Sequence, residues 1–197
     1  MILRKIISFC FIFAIFMIGY YPLVSAQSVL GDIEKLDDFS LKDYNGNKHS
    51  LSQYKNSYAI VVMFIATECP VSNAYNSRME KLFNEFSEKG LTFLGINSNK
   101  AESVSSIKEH AKDNGLTFPI LKDEKNVFAD KFGASYTPEI YVLNGNFDVL
   151  YHGRIDNSKS ESEVVTQDLK NALNEILSGK EVSKKETKAF GCTIKRV

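Results

Sequence analysis

Cysteine is the residue type with the most chemical potential in this 197-residue chain, which has three: Cys10, Cys69 and Cys192. Cys10 lies inside an apolar run from Ile6 to Tyr21 and reads as apolar filler. Cys69 is placed differently. It follows Tyr58-Ala-Ile-Val-Val-Met-Phe-Ile-Ala66, a β-branched and aromatic run without polar alternation, as expected of an interior parallel strand covered on both faces. After it, Tyr75, Met79, Leu82, Phe83 and Phe86 recur at helical spacing as far as Lys89-Gly90. A thiol between the end of a strand and the start of a helix meets unpaired N–H groups, which favour negative charge and lower its pKa. Pro70 suits the first helical position, where its missing N–H would have had no partner. Ser72 is close enough to offer the thiolate a hydroxyl, while the charge of Glu68 opposes ionisation.

Cys192 sits in Ala189-Phe-Gly191-Cys192-Thr-Ile-Lys195, an apolar, glycine-flanked segment unlike a polar tail. Burial of Phe190 and Ile194 would contribute roughly 1.5–3 kcal/mol each, so the segment is expected to pack on the domain. Two thiols so far apart are a structural bridge, two free thiols or a redox couple. His49, His110 and His152 are dispersed and supply no metal-ligand spacing. Arg154 reads either as a surface salt-bridge residue or as a group emerging on the Cys69 side.

The remaining pattern supplies elements to hold Cys69. Residues 36–41 and 48–54 flank Asp43-Tyr44-Asn45-Gly46-Asn47, whose Asn-Gly step predicts a hairpin. Residues 91–97 predict a strand and 98–114 a helix closed by Gly115, making a parallel βαβ unit. Residues 118–121 form a short strand and 126–132 a short helix ended by Gly133. Thr137-Pro138 introduces strand 139–143, which turns at Asn144-Gly145 into 148–152. Val165, Leu169, Leu173 and Ile176 mark a closing helix ending at Gly179. The reading is an α/β fold: a central mixed β-sheet flanked by helices, extended by an N-terminal β-hairpin.

Phe64-Ile-Ala66-Thr-Glu-Cys69-Pro-Val-Ser72 resembles the F-x-A-x-W-C-x-x-C segment of thioredoxin-like proteins. Thr137-Pro138-Glu139-Ile-Tyr-Val-Leu143 resembles their T-P strand, whose proline the family places in cis beside the active cysteine. The resemblance covers about residues 33–178 and is nearest to the redoxin (AhpC/TSA, peroxiredoxin-like) branch. It implies a reactive thiol at Cys69, supported by Thr67, Pro70, Ser72, Thr137 and Pro138. Ser72 replaces the second cysteine of C-x-x-C, Glu68 the tryptophan, and Ala66 the threonine that peroxiredoxins carry three residues before their cysteine. By the same resemblance Cys192 is a candidate resolving thiol, as terminal cysteines are in peroxiredoxin-like proteins.

The implied function is thiol-dependent oxidoreduction on protein thiols and disulfides or small peroxides, with an external electron donor and no cofactor. The other reading is a redox-inactive binding module with the same fold; a metal-carrying role lacks ligands. Arg4 and Lys5, the apolar run and Val24-Ser25-Ala26 form the layout of a secretory signal peptide over residues 1–26, and an uncleaved membrane anchor is the alternative. Cleavage leaves a domain at 27–179 and a tail at 180–197. It removes Arg4 and Lys5 from 24 basic residues and none of the 24 acidic ones, so the mature net charge is near −2. No nucleic-acid footprint results. The expected location is secreted or periplasmic. N-terminal sequencing of the exported protein should start close to Gln27; retention of Arg4 and Lys5 would establish the anchor instead.

Overall fold

The computed structural model describes residues 35–197, part of the compact unit Asp32–Val197. The signal-peptide reading and Cys10 fall outside the described residues. Seven strands form one mixed sheet in the order β2-β1-β5-β4-β3-β7-β8. They are β1 (Ser40–Asp43), β2 (Lys48–Ser50), β3 (Ile60–Phe64), β4 (Thr92–Asn97), β5 (Ile120–Lys122), β7 (Glu139–Leu143) and β8 (Val149–Gly153). A separate pair joins β6 (Tyr136–Thr137) to β9 (Cys192–Thr193).

Every residue of β3 is buried, as its unalternating sequence requires of an interior strand. It runs parallel to β4 and antiparallel to β7. The two-residue period of the pleat divides its side chains between two cores. Val61 and Met63 meet Met79, Leu82 and Phe86 of α2 (Asn76–Ser87), Ile107 of α3 (Val104–Asp113), and Leu169 and Leu173 of α5 (Asp168–Leu177). Ile60, Val62 and Phe64 face the other way, toward Leu36, Phe39, Leu51 and Phe132 of α4 (Val127–Phe132). The hairpin joins the same sheet, because β1 also pairs antiparallel with β5.

Four expectations are corrected. Residues 51–54 form a 3-10 turn rather than continuing β2. The helix after Cys69 is interrupted: α1 (Pro70–Ala74) closes at Tyr75, whose N–H donates to the Ser72 carbonyl at 2.9 Å in a tightened turn, before α2 begins. The helix expected from Ser98 starts only at Val104, capped by the Ser103 hydroxyl. Asn97, Ser98, Asn99 and Glu102 are buried and use their polar groups in a loop network instead. Val165 does not belong to the closing helix; it is 81% exposed, and α5 begins three residues later.

After α5 the chain returns along the outer edge of the sheet. His152 N–H donates to the Lys185 carbonyl at 2.8 Å and Thr187 N–H to the His152 carbonyl at 3.0 Å, so Lys185–Thr187 follows β8 as a partial extra strand. Gly153 permits this approach, since a Cβ there would strike the Thr187 backbone. The Thr187 hydroxyl also accepts the Arg154 N–H and meets the Tyr151 hydroxyl. Val182, Ala189 and Ile194 are buried, so the tail packs on the domain. Arg154 pairs with Asp168 at 2.8 Å, the salt-bridge alternative.

Candidate active site

Cys69 caps α1 from an extended backbone and is 4% exposed. The Ser72 N–H donates to its Sγ at 3.2 Å, a backbone donor that would stabilise a thiolate there. The expected hydroxyl contact is not made. Ser72 Oγ instead accepts the Ala66 N–H at 3.1 Å, tying the end of β3 to α1, so this serine supports the sulfur through its backbone.

Opposite stands the Thr137–Pro138 peptide, which is cis. The Thr137 carbonyl oxygen lies 3.4 Å from Cys69 Sγ. On its other side, Thr137 pairs with Cys192 and Tyr136 with Thr193 in the antiparallel β6–β9 ladder. The Thr137 hydroxyl donates to the Cys192 carbonyl at 3.5 Å, and Ile194 N–H to the Ser135 carbonyl at 3.0 Å. This pairing lays the tail across the cysteine. Cys69 and Cys192 are joined in a disulfide with Cα atoms 5.9 Å apart, across 123 residues of sequence. Cys192 remains partly exposed. Gly191 approaches the Thr137 carbonyl so closely that a Cβ would overlap it.

Two buried carboxylates outside the sequence reading hold the loops that frame the sulfurs. Glu139 Oε2 accepts the N–H groups of Ser135 and Tyr136 at 2.7 and 2.8 Å, and its Oε1 meets His152 Nε2 at 2.7 Å. Burial works to raise this carboxyl, but the His152 contact and the two N–H donors outweigh it and keep it below the ordinary glutamate range. Glu102 accepts the N–H groups of Thr67 and Glu68, the two residues before Cys69. A signal for Glu139 was present, as the one charge in an otherwise apolar strand. Glu102, in a polar loop, offered none. Thr67 Oγ1, two residues before Cys69 in the chain, is buried and finds no hydrogen-bond partner among the described residues.

The structure thus brings together Cys69, Cys192, Ser72 and the Thr137–Pro138 peptide; Pro70 stands exposed at the first position of α1, and Thr67 is held through its backbone, its N–H on Glu102 and its carbonyl on Asn73 Nδ2.

Residues 33–157 match the AhpC/TSA family. The thioredoxin-like protein YneN of Bacillus subtilis is 34% identical over 140 residues, covering 68% of this chain and 81% of that protein. Chloroplastic peroxiredoxin Q of Sedum lineare is 30% identical over 136 residues, covering 64% and 72%. Among solved structures, a hypothetical protein of Sinorhizobium meliloti superposes with a TM-score of 0.78 at 31% identity, covering 83% of this chain and 93% of that one.

The tight passage of Gly191 generates a prediction. Gly191→Ala should destabilise the oxidised protein by about 1–3 kcal/mol, the usual cost of overpacking, because β9 cannot close on Thr137. Denaturant unfolding without reductant checks it; unchanged stability would mean that the tail does not pass Thr137 this closely.

Proposed function

The chain belongs to the AhpC/TSA family, and from that premise we propose that it is an exported thiol–disulfide oxidoreductase with Cys69 as reactive thiol and Cys192 as resolving thiol. Thiol-dependent oxidoreductase activity is common ground with its relatives, which include peroxiredoxin Q and the thiol-disulfide oxidoreductase ResA of Halalkalibacterium halodurans. The observation that carries the finer reading is the placement of both sulfurs: one receives a backbone N–H at the start of a helix, and the other is held on it by a strand pair. The signal-peptide layout at residues 1–26 supports export.

In the reduced protein, Cys69 thiolate attacks one sulfur of a substrate disulfide, whose S–S bond breaks and whose other sulfur leaves as a thiolate. Cys192 then attacks the Cys69 sulfur of the mixed disulfide. The second substrate thiolate departs, and the Cys69–Cys192 disulfide retains the two-electron oxidation. An external dithiol closes the cycle: its first thiolate opens the Cys69–Cys192 bond to a mixed disulfide, and its second displaces the protein sulfur and leaves the reductant as a disulfide. With Cys69 buried and Cys192 partly exposed, Cys192 sulfur is the accessible point of attack. Cys69 is then the leaving group, and the Ser72 N–H favours its departure as a thiolate, since a better-stabilised thiolate leaves faster.

One observation favours a second reading. Chloroplastic peroxiredoxin Q of Sedum lineare, 30% identical to this chain, is a peroxiredoxin, so a small peroxide is the other substrate class for Cys69. Attack on the peroxide would give a Cys69 sulfenate and release water or an alcohol, and Cys192 would condense with the sulfenate to the same disulfide.

Parallel assays with a dithiol reductant, one following insulin disulfide reduction and one hydrogen peroxide consumption, separate these outcomes. Disulfide exchange predicts turnover in the first, loss of it in Cys69→Ser, and accumulation of a mixed disulfide in Cys192→Ser. Turnover only with peroxide would favour the second reading, and Cys69-independent results in both would favour a binding module.

A further inference from the structure

Glu102 and the tail are linked in a way that neither sulfur's environment explains. Glu102 is 4% exposed, and all four of its partners are donors. Oε2 takes the Thr67 N–H at 2.6 Å and Asn97 Nδ2 at 2.5 Å; Oε1 takes the Glu68 N–H at 3.4 Å and Asn99 Nδ2 at 2.9 Å. Only a carboxylate, which accepts at both oxygens, satisfies that set. Because Asn99 must present its NH2 group to Glu102, its carbonyl oxygen faces the other way. There it accepts the Lys195 N–H at 2.7 Å. The Lys100 N–H completes the grip by donating to the Lys195 carbonyl at 2.8 Å. Lys195 lies three residues beyond Cys192.

We infer that Glu102 is a positioning residue for both halves of the redox couple: it fixes the Cys69 turn directly and, by setting the orientation of the Asn99 amide, fixes the segment that carries Cys192. The inference rests on the redox reading of the two cysteines, and its consequence is quantitative. Holding the tail raises the effective concentration of Cys192 at Cys69, which sets how readily the internal disulfide displaces a bond to an outside thiol. A loose tail would leave Cys69 longer in mixed disulfides.

Two variants of the full chain separate the two arms. Asn99→Ala removes the acceptor for Lys195 and leaves the Thr67 and Glu68 bonds. Glu102→Gln sets an amide NH2 against donors and disturbs both arms. In glutathione buffers both should lower the effective concentration of Cys192 about fivefold to tenfold, the effect of one lost hydrogen bond on a docked segment. Amide hydrogen exchange should accelerate at Lys195 in both variants, but at Thr67 and Glu68 only in Glu102→Gln. A glutathione equilibrium within twofold of wild type for Asn99→Ala would overturn the inference. So would equal exchange at Thr67 and Glu68 in the two variants. Failure of the redox reading shows elsewhere, as insulin and peroxide assays indifferent to Cys69→Ser, while the exchange pattern still decides the geometry.

Discussion

Thr137 takes part in two contacts at once. Its carbonyl faces Cys69 Sγ, and its backbone is the ladder partner of Cys192. The antiparallel pairing of two two-residue strands, β6 and β9, is therefore the contact through which two cysteines 123 residues apart act as neighbours. So short a ladder is weak alone. It persists because its components are fixed independently: β6 by Glu139, β9 by Lys195 on Asn99 and by the upstream passage of Lys185–Thr187 along β8. Arg196 and Val197 add bonds to Asp130, Ala134 and Asn126.

A linkage follows. In the chain-entropy description, a disulfide closing a loop of this length stabilises the fold by about 5 kcal/mol. The same thermodynamic cycle requires the fold to favour the disulfide equally. Anything that loosens the tail must then make Cys69–Cys192 easier to reduce. In ordinary C-x-x-C sites adjacency in sequence supplies the second sulfur. Here Ser72 has that position, stitching α1 to β3 through its hydroxyl and donating its N–H to Cys69 but supplying no sulfur, so tertiary docking supplies it.

How much of this was legible in the sequence depended on the range of the interaction. The strand–Cys–helix order was readable because Tyr58–Ala66 and the spacing of Tyr75, Met79, Leu82 and Phe86 are local signals that the core rewards. The packing of the tail was foreseen from Phe190 and Ile194, yet not its partner, since a two-residue strand carries no periodicity. Residues 98–103 differ from the expected helix because their polar groups close a loop of their own, as Asn99 does on Glu102, and reach across the fold, as Ser98 does to Asp123 and Glu102 to Thr67, neither of which spacing shows. The Ser72 hydroxyl was misdirected for a related reason: spacing puts the residue near Cys69, but it does not choose between side chain and backbone.

The central claim is that Cys192, and no outside thiol, is the immediate partner of oxidised Cys69. It is tested most directly by non-reducing peptide mapping of the full-length mature chain after one equivalent of mild oxidant, in the presence of glutathione. The expected result is a single linked pair of peptides containing Cys69 and Cys192 in the wild type, with Cys69 joined to glutathione only in Cys192→Ser. Cys69 recovered as sulfenate or as a glutathione adduct to the same extent in both proteins, with no Cys69–Cys192 peptide, would contradict it.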